Sequence, residues 1–144
     1  MRSRANILRG VHKILEADTD LVTALEHSVG ATSVASGARI VGNSVRLEEL
    51  PLPLLILDFD SGAPGSTSDL KTWEAFIDIA ANDVFQAADL LDMLEDLAAN
   101  YVTSAFPTLP HRINNFVILN HQRLEPQQPG GVIAVRVNFR VTWV

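Results

Sequence analysis

No cysteine occurs among the 144 residues of this chain, which excludes disulfides, thiolate metal centres and cysteine nucleophiles. Long apolar runs are missing too. The longest, residues 50–57, contains Pro51 and Pro53 and is far too short to span a bilayer. Arg2, Arg4 and Arg9 stand near the N-terminus without the uninterrupted apolar stretch of a signal peptide, so neither export nor a membrane is expected. Cations are scarce: 11 Lys and Arg against 17 Asp and Glu leave a net charge of −6. That balance argues against general nucleic-acid binding, because phosphate contacts need Lys and Arg. What remains is ordinary for a folded chain, with 47% apolar and 19% charged residues. The length predicts one domain, residues 1–144, burying roughly two-thirds of its unfolded surface.

The charges are segregated along the chain. Arg2, Arg4, Arg9 and Lys13 precede the first acid, Glu16. Residues 72–110 hold seven acids and no Lys or Arg, and beyond them Arg112, Arg123, Arg136 and Arg140 face only Glu125. Solvated faces that happen to separate by sign account for this. So does association between like molecules, a basic patch meeting an acidic one.

The hydrophobic period changes without a break in the middle of the chain. Trp73, Ala75, Ile77, Ile79 and Ala81 alternate, which predicts a strand with one buried face. Then Val84, Ala87, Ala88, Leu91, Leu94, Ala98 and Tyr101 recur at helical spacing, with Asp89, Asp92 and Asp96 on the other side. Asn82 or Asp83, at the join, offers a side-chain oxygen to cap the helix. Before this, Ser3 begins a helix whose Ile7, Leu8, Val11, Ile14 and Leu15 share a face. Asp18 begins a shorter one through Leu21, Val22, Leu25 and Val29 that stops at Gly30. Residues 30–44 are Gly-, Ser- and Ala-rich and read as a loop, broken by a short strand at 39–41.

Residues 54–59 form an apolar run entered through Pro51 and Pro53, which lack the N–H a ladder needs and so belong at its start or edge. Residues 61–69 are turn chemistry throughout, long enough to reach a neighbour. Pro107 and Pro110 stop the helix from continuing. Residues 113–119 predict a strand, and 125–131 a hairpin-length connection. Finally Ile133, Val135, Val137, Phe139, Val141 and Trp143 alternate with Ala134, Arg136, Asn138, Arg140 and Thr142. The expected fold class is α+β: a mainly antiparallel sheet of about four strands with helices packed on one face.

Chemical motifs are weak. The run Leu54-Leu55-Ile56-Leu57-Asp58-Phe59-Asp60 resembles the opening motif of haloacid-dehalogenase-like phosphatases, whose first Asp is the nucleophile and whose pair helps hold magnesium. Ser61 and Gly62 depart from that motif, and only Lys71 is available as the later lysine. A strand end with solvated carboxylates explains Asp58 and Asp60 better. Gly62-Ala63-Pro64-Gly65-Ser66-Thr67 lacks the Lys of a phosphate-binding loop. His12 and Glu16 lie one helical turn apart but show no third ligand, so a solvated helix face is the expectation and no metal site is assigned. His111 lacks an identifiable partner, and Ser28, Ser33 and Ser36 sit in no nucleophile-elbow context. No catalytic residue and no cofactor is expected.

In its order of elements the chain is similar to tail terminator proteins of long-tailed bacteriophages. The likeness rests on the N-terminal helix with Ile7, Leu8 and Val11, the run Leu52-Pro53-Leu54-Leu55-Ile56, and residues 72–101. Within the last, Asp-x-x-x-Ala-x-x-Leu-x-Asp-x-Leu reads from Asp83 to Leu94, and the closing strand at 132–144 also fits. The resemblance implies a structural virion protein, a hexameric ring that caps the tail tube and joins it to the head connector. It implies tail tube and head connector proteins as partners, assembly in the host cytoplasm, and DNA passing through without specific binding. Asp89, Asp92 and Asp96 are then candidates for the subunit interface or the lumen face. Another head–tail connector or tail-tube component, and a small metal-dependent hydrolase using Asp58 and Asp60, are the alternatives.

Overall fold

The computed structural model describes residues 3–42, 51–59, 72–102, 112–124 and 133–143. The loop at 61–69, Asp60, Lys71, Pro107, Pro110, His111 and the 125–131 connection lie outside them.

Helix α1 (Ser3–Glu16) buries Ile7, Val11, Ile14 and Leu15 as their spacing predicts. Helix α2 (Thr19–Leu25) starts where the Asp18 carboxylate accepts the Leu21 N–H at 2.9 Å. It stops short of Gly30. Glu26 takes the left-handed conformation that ends a helix, with φ of 55°, and Val29 is left exposed. The apolar period outlasted the helix because the chain had already turned.

Five strands form one mixed sheet: β1 (Ile40–Gly42), β2 (Leu54–Asp58), β3 (Thr72–Ala81), β4 (Ile113–Leu124) and β5 (Ile133–Trp143), in the order β1-β2-β3-β5-β4. The expectation of about four antiparallel strands is corrected here. β1 joins at the edge and pairs parallel with β2, Ile40 opposite Leu55, while every other pairing is antiparallel. β1 is the short strand expected at 39–41; its direction is set by the partner ladder, which no local pattern encodes.

Helix α3 (Val84–Ala99) follows β3 after two residues. Of the two candidate caps Asp83 is the one that acts, accepting the Gln86 N–H at 2.8 Å, while Asn82 donates its backbone and side-chain N–H to the Gln86 side chain at 2.8 and 3.2 Å. The buried stripe is Ala87, Leu90, Leu94 and Leu97, whereas Val84 and Ala88 are exposed. This departs from the predicted face. The helix is apolar enough to offer two stripes one residue apart, and its rotation is set by how it leaves β3 and meets the sheet.

β4 runs five residues past the predicted end at 119. Residues 120–123 have no apolar alternation, and pairing with β5 holds them, Gln122 opposite Arg136 and Leu124 opposite Ala134. Register irregularities near Asn115 and Asn120 interrupt this edge strand, a common means of blunting an open edge.

The main core lies between the helices and one face of the sheet. Ile77, Ile79, Val137, Phe139 and Val141 meet Ile7, Leu21, Leu90 and Leu94 there, and Phe139 stacks on Phe116 at 5.2 Å between centroids. β3 buries more than one face: Ala80 joins Val41, Leu54 and Ile56 in a smaller cluster on the opposite side, where Phe76 is also buried. No helix among the described residues is long and apolar enough to cross a membrane.

Candidate interaction surface

Asp89, Asp92 and Asp96 all lie exposed on α3, on the side away from the sheet. α3 contains no Lys or Arg, so nothing within the helix neutralises them. Glu95 leans toward β4, 4.0 Å from His121 Nδ1. It borders a groove of about 660 Å³ floored by Ala98, Phe116 and Ile118. On the other flank Asp96 shares a cleft of about 580 Å³ with Asp18 and Asp20, above Leu97, Tyr101 and Val102.

The sheet resolves part of the charge segregation internally. The Arg136 guanidinium donates to Asp78 twice, at 2.9 and 3.1 Å, and lies 3.8 Å over the Phe76 ring. Arg140 donates to Glu74 at 2.8 Å. The cause is register: β3 and β5 run antiparallel with Asp78 opposite Arg136 and Glu74 opposite Arg140. Charges separated in sequence are neighbours in space. The helices show no such balance. Arg4, Arg9 and Lys13 are exposed on α1. None of the three has a salt-bridge partner among the described residues, and Arg9 bonds only Asn6, at 3.0 Å.

His12 and Glu16 are not a solvated pair. His27, the buried polar residue among the described residues, is the third member of their network, and nothing local in the sequence announced it. His27 Nδ1 accepts the Arg39 N–H at 2.8 Å, so Nε2 carries the proton and donates to Glu16 at 2.8 Å. Glu16 also accepts the Gly30 N–H at 2.8 Å and stands 3.1 Å from His12 Nδ1, while His12 Nε2 donates to the Ile40 carbonyl at 2.9 Å. Each imidazole nitrogen is thus already engaged, and no metal-holding group of three occurs among the described residues. The network ties α1 to the end of α2 and to β1.

Burial pushes the Glu16 carboxyl up, but the Gly30 N–H, the His27 bond and the two imidazoles together outweigh it and hold it below the ordinary 4.5. A depressed carboxyl contributes stability above its unfolded value, lost as pH falls through the folded one. Glu16→Gln is therefore expected to destabilise by about 1–3 kcal/mol near neutrality. The gap from wild type should close as pH drops below 4.5, measured by denaturant melts across pH. A gap independent of pH would show that the charge is not what matters.

Three further candidates, Ser33, Ser36 and Asp58, have structural employment. Ser33 and Ser36 cap the short 3₁₀ turn at Val34–Ser36 through reciprocal side-chain bonds. Asp58, at the end of β2, accepts the Phe59 N–H at 2.7 Å.

No protein-family model and no curated protein matches this sequence. Solved structures do match its fold. A chain of the virion of a native gene transfer agent particle is 14% identical, with a TM-score of 0.58 over 92% of this chain and 90% of its own. The gp17 protein of bacteriophage SPP1 is 16% identical, with a TM-score of 0.52 over 97% of this chain and 89% of its own. Over nearly its whole length, the chain therefore has a fold found in a gene transfer agent virion and in a bacteriophage protein, in keeping with its sequence resemblance to phage tail terminators.

Proposed function

We propose that this chain, as a single domain, is a structural virion protein whose hexameric ring caps the phage tail tube and joins it to the head connector. The observation that carries the reading is the shared fold, which spans nine-tenths or more of this chain in both matches. Its work is assembly in the host cytoplasm, with no catalysis and no cofactor. DNA passes through the ring without specific binding. An acidic surface suits that passage, because it repels phosphate. Asp89, Asp92 and Asp96 belong to the subunit interface or to the lumen.

Purified protein added to tail tubes of its own virus is expected to form one ring at one end of each tube, visible by electron microscopy. Deleting the gene should leave tubes of uncontrolled length that do not join heads. Normal tube length and normal head joining in the deletion would refute the reading. Density elsewhere along the neck or tube would reassign the chain to another head–tail or tail-tube component.

A further inference from the structure

Folding pairs Arg136 and Arg140 with acids across the sheet and leaves the helices polarised. α1 presents Arg9 and Lys13 one turn apart, and α3 presents Asp92 and Asp96 one turn apart, all exposed. Residues four apart on a helix lie about 6 Å from each other, so the two pairs share a pitch. α1 packs on β1 at one edge of the sheet, and α3 packs on β3, β5 and β4 toward the other. We infer that the outer face of α1 docks on the outer face of α3 of a second copy, with Arg9 and Lys13 set against Asp92 and Asp96.

The cleft beside Asp96 supports a cationic side chain as the occupant. Its rim carries Asp18 and Asp20, and its floor includes Leu97 and Val102, the latter 56% exposed. Lys and Arg combine an aliphatic stem with a charged head, the shape and polarity this cleft accepts. The segregated charge thus assigns the acidic face to the subunit interface and away from the lumen. Each copy gives one face and receives the other, a heterologous contact that closes into a ring where its rotation permits. The inference rests on the ring reading above for that closure.

Charge reversal tests it on the full chain. Asp92→Lys with Asp96→Lys, and separately Arg9→Glu with Lys13→Glu, should each weaken self-association about tenfold or more by sedimentation. Circular dichroism should show both variants folded, since all four positions are exposed. Combining the four substitutions in one chain should restore association to within a few-fold of wild type. Raising salt from about 0.05 to about 0.5 M should weaken wild-type association, because the contact is screened. Rings that form normally on tail tubes with either reversal overturn this contact and leave the ring reading standing, as do normal rings that bind DNA more tightly. Wild-type protein that neither self-associates nor caps tubes overturns both.

Discussion

Phe139→Ala is expected to lower the stability of the fold by about 3–5 kcal/mol, the cost of a large buried side chain plus the cavity it leaves. Phe139 is fully buried in β5, in the layer where the helices meet the sheet, with Phe116 stacked on it. β5 is paired on both sides, by β3 and β4, so the strand has little freedom to move and fill the space. Arg140, the next residue, points to the wet face with its side chain 47% exposed and pairs with Glu74. Arg140→Ala should cost less than about 1 kcal/mol, because exposed ion pairs contribute little. Denaturant midpoints at unchanged slope would measure both. Equal losses would mean that the faces of β5 are misassigned.

His27→Ala is the second large effect, a loss of about 3 kcal/mol or more. Its imidazole satisfies two groups at once, the Arg39 N–H and the Glu16 carboxylate. Removing it leaves a buried donor without an acceptor and strips one of the bonds that hold a partly buried charge, each costing about 1–3 kcal/mol. Hydrogen exchange should rise first around β1, which the network ties to α1. His121→Ala, with a side chain 51% exposed, is the control and should be close to neutral. A His27 variant as stable as the His121 variant would show that the network is decorative.

The strand-to-helix junction was legible because its signals are local. Alternation through Ala81, an Asp at 83 and a 3.6-residue period each involve residues that touch within one element. For the same reason the wet and dry sides of β5 could be named from sequence, and the caps at Asp18 and Asp83 found. Where local signals tie, they fail. α3 carries adjacent Leu90 and Leu91, and adjacent Ala87 and Ala88, so period alone did not choose which of each pair turns inward. Only the burial of Ala87 and Leu90 against the sheet broke that tie.

The acidic candidates divide along the same line. That Asp89, Asp92 and Asp96 face solvent follows from the helical period, and the structure places them so. That Arg136 and Arg140 belong to Asp78 and Glu74 does not follow from any period, since the partners lie 58 and 66 residues apart. The same holds for His27, whose role depends on Glu16, eleven residues back, and on Arg39, twelve ahead. By itself the sequence determined the kinds of elements, most of their faces and several of their caps, because these depend on neighbours within one element. The tertiary structure alone decided that the sheet is mixed, which charges cancel and which histidine is buried, because strand pairing and helix docking bring together groups that no periodicity connects.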